Sequence, residues 1–313
     1  MMPALPPAPE ALLERVEWTV LRRLDGALQG DSRTLFGGFG LELADLREYQ
    51  YGDDVRRIDW NATARLDKTY VRDYMEERQF TAWFLLDLSA SLDFGSQHVA
   101  KRALAHDFFA LVARFLTRQG NRVGALLYGE AVDTVIQAKG GRHHVVHVLQ
   151  KMLARREHTG TGATDLRDLL GIAAKVIRGR SLVFVVSDFI SAPGWTDVLA
   201  ALALRHETVA VRLFDPLEIE LPDLGVIVMQ DAETGEQLFV DTHDKRFRAR
   251  YAAAARTREL ELRRAFRKAG VEALELSTRD DLADSIVRYA RLRKQQAQLR
   301  YRAGAGRSPR AAA

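Results

Sequence analysis

Asp87, Ser89 and Ser91 form an Asp-x-Ser-x-Ser run where an apolar stretch, Trp83-Phe84-Leu85-Leu86, gives way to a glycine-containing loop. A carboxylate and a pair of hydroxyls from a single tight turn are hard oxygen donors. Magnesium prefers near-octahedral oxygen coordination at about 2.0–2.1 Å and keeps several waters, so the run reads as half of a cation site. Two later loops offer the other half: Gly162-Ala163-Thr164-Asp165 ahead of a helical pattern, and Ser187-Asp188 closing a second apolar stretch, Leu182-Val183-Phe184-Val185-Val186. Asp and Ser are ordinary loop and helix-cap residues, so the first run alone says little. The concurrence of three strand-end loops is what points to a metal. Thr161 competes with Thr164 for the hydroxyl of the second loop; Thr164 is preferred because Thr-Asp opens the helix, with Asp165 as its cap or a supporting partner.

The elements that must position these residues follow from periodicity. From Thr81 the chain alternates strand and helix: strand 81–87, helix about 97–119, strands 123–128 and 132–137, helices about 142–155 and 165–178, strand 181–187, helix 195–204 and strand 208–214. A hairpin at Val226 to Val240 around Glu233-Thr234-Gly235-Glu236 precedes a long helix at about 244–269, a strand at 271–276 and a final helix from about 279. The pattern predicts an α/β fold, doubly wound around a mostly parallel sheet. Sites in such sheets form outside the carboxyl ends of strands where connections diverge, which is where Asp87 and Asp188 fall.

The rest of the chain divides around this domain. Residues 1–30 hold a Pro-rich start and an amphipathic helix over Glu10 to Leu28, 31–79 a charged annex of short strands and loops, 80–292 the main domain, and 293–313 a basic tail expected to be disordered. Gly37-Gly38-Phe39-Gly40 lacks the Gly-Lys-Ser/Thr ending of a P-loop and reads as a turn. His143, His144 and His147 include an i, i+4 pair, yet no further ligand accompanies them at zinc spacing, so a solvated helix face is expected. Ser89 sits in no Gly-x-Ser-x-Gly elbow, which argues against a nucleophilic serine.

The 313 residues include 47% hydrophobic ones, enough for a large core, and no cysteine, which excludes disulfides and thiolate metal sites. Lys and Arg exceed Asp and Glu by 46 to 42, but eight of the basic residues lie after Ser285, where there is no acid. Without them the chain has 38 basic against 42 acidic side chains, so the excess belongs to the tail and does not mark the body as a nucleic-acid binder. Met1 to Glu10 lacks a signal-peptide pattern and no apolar run approaches the ~20 residues of a membrane helix, so a cytoplasmic protein is expected.

The Asp87, Ser89 and Ser91 constellation resembles the metal-ion-dependent adhesion site of von Willebrand factor A-type domains. A longer block, Leu46-Arg47-Glu48-Tyr49, Gly52-Asp53-Asp54-Val55-Arg56-Arg57-Ile58-Asp59-Trp60-Asn61, Ala64-Arg65 and Tyr70-Val71-Arg72 through Glu76-Glu77-Arg78, resembles the hallmark of the domain-of-unknown-function fifty-eight family. The similarity runs from about Arg33 to Arg291. It implies a von Willebrand factor A-like fold and a site of Asp87, Ser89, Ser91, Thr164 and Asp188 holding Mg2+, or Mn2+ or Ca2+ in its place, with Asp188 acting through a water. Leu92 and Ala163 stand where the family often has Met and Gly; neither change removes an oxygen ligand. The resemblance further implies a non-enzymatic partner of a MoxR-type AAA+ ATPase, and of further von Willebrand factor A-type proteins, in chaperone-like remodelling. The alternative is a metal-dependent phosphatase with Asp87 as nucleophile, as in haloacid-dehalogenase-like enzymes; Ser89 replaces their second acid and removes the usual acid/base group. The Arg47–Arg78 block is expected to be a structural network of ion pairs clamping the annex to the sheet, Arg57 and Asp59 among them, with Trp60 and Tyr70 as packing residues; the alternative is a partner surface in which Arg57, Arg65 or Arg72 meets carboxylates.

Overall fold

The computed structural model describes residues 8–17, 46–51, 53–55, 58, 60, 63–64, 68–72, 79–95, 99–129, 131–155, 164–230 and 237–305. Ten strands are described: β1 (Leu46–Glu48), β2 (Tyr70–Arg72), β3 (Thr81–Asp87), β4 (Arg122–Tyr128), β5 (Val132–Lys139), β6 (Leu182–Ser187), β7 (Glu207–Phe214), β8 (Val226–Gln230), β9 (Gln237–Asp241) and β10 (Glu272–Ser277). The described helices are α1 (Pro9–Val16), α2 (Lys101–Arg118), α3 (Arg142–Leu153), α4 (Leu166–Val176), α5 (Trp195–Arg205), α6 (Lys245–Ala269) and α7 (Leu282–Ala305).

Six strands form the central sheet in the order β10-β7-β6-β3-β4-β5, parallel throughout except for β5, which runs antiparallel to β4 at the edge. Strands covered on both faces read as near-continuous apolar runs, as β3 and β6 do. Successive side chains point to opposite faces, so Ala82, Phe84 and Leu86 enter one core layer with α1, α2, α3 and α7. Trp83 and Leu85 enter the other with α4, α5 and α6. In the first layer Phe84 stacks on Phe184 with centroids 4.9 Å apart and meets Phe109 edge-on at the same distance. The architecture is the expected doubly wound α/β one, a mostly parallel sheet flanked by helices on both faces.

Glycine has one decisive place here. Gly124 in β4 pairs with Trp83 in β3, and a Cβ there would lie 2.7 Å from the indole ring. Gly124→Ala should therefore push the buried Trp83 off its seat and cost about 1–3 kcal/mol, seen as a lower midpoint in urea. An unchanged midpoint would show that the ring relaxes freely.

The connections β3-β4-β5 run to one side of β3 and β6-β7-β10 to the other, which puts the switch point between β3 and β6. The hairpin appears as β8 and β9, antiparallel; its expected turn at Glu233–Glu236 lies outside the described residues. Of the N-terminal helix, Pro9–Val16 is described, with Leu12, Leu13 and Val16 buried in the α2 layer; most of the remainder, and Gly37–Gly40, lie outside. In the annex β1 and β2 pair antiparallel and Ile58 bridges to Val71. Arg57, Asp59, Arg65 and Glu76–Arg78 lie outside the described residues.

Two expectations are corrected. Trp60 does not pack: it is 70% exposed. Residues 293–305, expected as the start of a disordered tail, continue helix α7 to Ala305; at their start Arg293 donates from Nε to Glu272 at 2.9 Å and pairs with Glu207 through Nη2, tying α7 to β7 and β10. Residues 306–313 lie outside the description. Among the described residues no helix is long and apolar enough to cross a membrane.

Candidate metal centre

Asp87 is the last residue of β3 and is fully buried. Its Oδ1 accepts the Ser89 amide at 3.0 Å, closing a tight turn, and its Oδ2 accepts the Ser187 hydroxyl at 2.6 Å from the end of β6. The turn brings Ser89 Oγ to 3.2 Å from Ser91 Oγ. That is a hydroxyl–hydroxyl hydrogen bond, and because adjacent ligands of an octahedral ion at about 2.1 Å also stand about 3 Å apart, the same spacing is compatible with a shared cation. Arg102 on α2 fixes the loop by donating to Ser89 O at 3.2 Å and pairing with Asp93, its Nη2 standing 3.0 Å from Asp93 Oδ2.

Asp188 follows β6 and is almost fully buried. Its Oδ1 accepts the Ile190 amide at 3.0 Å and its Oδ2 accepts Lys101 Nζ at 2.7 Å. The next residue, Phe189, has φ +59°, a left-handed conformation costly for an aromatic side chain. It is held by its amide on Ser187 Oγ at 2.9 Å and by its ring against Trp195 and Phe266, so core packing sets the turn that aims Asp188.

Thr164 is buried beside α4, and its carbonyl accepts the Ala192 amide at 3.0 Å and the Ser191 hydroxyl at 3.1 Å, joining it to the loop after β6. The Asp165 amide donates to Tyr128 OH at 2.9 Å, joining it to the end of β4. Asp165 caps α4 by accepting the Arg167 amide at 2.9 Å. Thr161, Gly162 and Ala163 lie outside the described residues. Asp87, Ser89, Ser91 and Asp188 are thus gathered at the switch point, with the Thr164 backbone tied to the same end of the sheet.

Burial, then the nearby Asp188 charge, pushes the Asp87 carboxyl up to about 6 against the opposing hydrogen bonds from Ser187 and Ser89. An anion so disfavoured in its own site is a carboxylate lacking a counter-charge. Lys101 behaves in the opposite sense. Burial pushes its ammonium down, but Asp188 and Glu218 outweigh burial and leave it raised. Among the described residues no three His, Cys, Asp or Glu side chains group as metal ligands. The all-oxygen donor set and the under-compensated Asp87 fit a hard divalent cation.

Several members of this cluster escaped the sequence. Ser187 was visible only as the neighbour of Asp188, Ser191 and Tyr128 as ordinary loop and strand residues. Lys101 left one signal: a cation in the first turn of a helix opposes the helix dipole and calls for an acidic partner. His143 and His147 are exposed, as a solvated helix face predicts, whereas His144 is half-buried with its Nε2 at 2.7 Å from Val123 O.

The family pattern described as "Protein of unknown function DUF58" matches residues 45–261. Uncharacterized proteins of Mycobacterium bovis and Mycobacterium tuberculosis are each 38% identical over 289 residues, covering 92% of this chain and 90% of each relative. Among solved structures, the conserved hypothetical protein BatB from Bacteroides thetaiotaomicron is similar with a TM-score of 0.43 at 13% identity, over 69% of this chain and 99% of that one. An aerotolerance-related membrane protein from Bacteroides fragilis is similar with a TM-score of 0.44 at 12% identity, over 69% and 99%. By the family match across most of its length and by its mycobacterial relatives, the chain belongs to the DUF58 family.

Proposed function

We propose that this protein is a non-enzymatic docking module of the cytoplasm whose grip on a partner depends on a divalent cation, magnesium first and manganese or calcium in its place. The observation that carries the reading is Asp87: a fully buried carboxyl beside Asp188, pushed up to about 6, amid the hydroxyls of Ser89 and Ser91. The ion would be held by Asp87, Ser89, Ser91 and Thr164, with Asp188 acting through a water. Few carboxylates then face a doubly charged ion, and an Asp or Glu of a partner completes its coordination with a charge-assisted bond. The partner proposed is a MoxR-type AAA+ ATPase, alongside further von Willebrand factor A-type proteins, with this chain acting as adaptor in remodelling of protein complexes.

The test is co-purification of the ATPase with wild type, Asp87→Ala and Asp188→Ala, with nucleotide held constant because the ATPase needs its own magnesium. Both variants should fold by circular dichroism and lose the ATPase. Folded variants that retain it as wild type does would defeat the reading and direct attention to the annex.

A further inference from the structure

Lys101 is a fully buried charged side chain at the switch point, with 0% of its side chain exposed. It opens α2, and its Nζ lies 2.7 Å from Asp188 Oδ2 and 2.6 Å from Glu218 Oε1. Glu218 is itself locked, its Oε2 accepting the Asp215 amide at 3.0 Å in a short turn after β7. Asp215, fully buried, accepts the Leu217 amide at 2.9 Å and the Thr278 hydroxyl at 2.6 Å from beyond β10. A continuous polar chain thus crosses the carboxyl ends of the strands, with Lys101 at its centre.

Stability does not explain this lysine. A buried ion pair gains little over well-packed apolar side chains, and a cation at a helix start opposes the dipole. What Lys101 changes is the charge that an ion would meet. The Lys101 ammonium already takes up part of the Asp188 charge. Without the lysine that charge would fall wholly to the ion.

We propose that Lys101 is a tethered cation that lowers the divalent affinity of this centre by sharing Asp188 with the bound ion, so that the ion keeps positive charge for a partner's carboxylate. This rests on the metal reading above. The lysine is a built-in competitor, and Glu218 sets its strength by drawing the ammonium away from Asp188.

The test is titration calorimetry with magnesium chloride on folded wild type, Lys101→Met and Glu218→Gln. Lys101→Met should bind magnesium about tenfold tighter or more, and Glu218→Gln about tenfold weaker, because a unit charge a few ångströms from a divalent ion is worth at least that in a protein interior. General destabilisation would not move the two variants in opposite directions. Should Lys101→Met not fold, the comparison is made in the Glu218→Gln background, where adding Lys101→Met must tighten binding relative to Glu218→Gln alone. Unchanged affinities, or shifts in the same direction, would overturn the proposal while leaving the metal centre standing. A silent wild type beside a Lys101→Met that binds through Asp87 would uphold the competitor role and overturn the metal reading for the native protein. Silence in every variant would overturn both.

Discussion

Asp87→Asn should make the metal-free protein more stable at pH 7, by about 2–3 kcal/mol. The Asp87 carboxyl is raised from an ordinary 3.8 to about 6, and each unit of such a shift corresponds to about 1.4 kcal/mol of differential interaction. The sign follows from proton binding. The folded state holds the proton more tightly than the unfolded chain, so the contribution of Asp87 to stability is fully present below about pH 4. It is lost as pH rises through about 6, above which a desolvated carboxylate faces Asp188. Asparagine keeps the shape: its oxygen can accept the Ser89 amide while its Nδ2 donates to Ser187 Oγ, without carrying that charge. In melts with EDTA, the gap between variant and wild type should open between pH 4 and 6 and stay level above. A gap that ignores pH would show that the buried charge is not its source. Saturating magnesium should lift wild type and leave Asp87→Asn where it was, and the lift should fade below about pH 6 as Asp87 takes up its proton.

This behaviour was partly legible in the sequence. Trp83-Phe84-Leu85-Leu86 and Leu182 through Val186 announce doubly covered strands, and a strand-end Asp on each places both acids at one edge of the sheet, as found. Helix limits shifted by a few residues, α2 opening at Lys101 and α7 at Leu282, because end residues are set by caps and tertiary contacts that periodicity does not encode. The polar chain beneath the site was not legible. Lys101 looks like any solvated lysine until Glu218, 117 residues away, is folded against it. Arg293 was read as part of a frayed tail for the same reason, its acidic partners Glu207 and Glu272 standing on other strands. Sequence shows which residues could be ligands; it does not show which charges the fold has already spent on one another.

That hidden pairing carries the other large effect. Lys101→Met should cost about 3–5 kcal/mol in the absence of divalent ions, since removing one partner of a buried ion pair leaves its counterpart uncompensated. Here the counterparts are the Asp188 side chain, 1% exposed, and the Glu218 side chain, 18% exposed. Methionine fills much of the same volume, so lost packing contributes little, and the penalty is chiefly the charge left behind. Adding Glu218→Gln to Lys101→Met should recover part of it by removing one stranded carboxylate, whereas Glu218→Gln alone should be mildly destabilising. This non-additivity is the mark of a shared ion pair. Chemical denaturation of the four proteins in EDTA measures it. Effects that simply add would mean that Lys101 and Glu218 act independently, against the 2.6 Å contact between them. Magnesium supplies the final comparison: because a divalent ion can neutralise what the lysine no longer does, Lys101→Met should gain more from it than wild type gains. A loss below about 1 kcal/mol would place the Lys101 ammonium in solvent, as in an ordinary surface pair, and would remove the electrostatic role assigned to it.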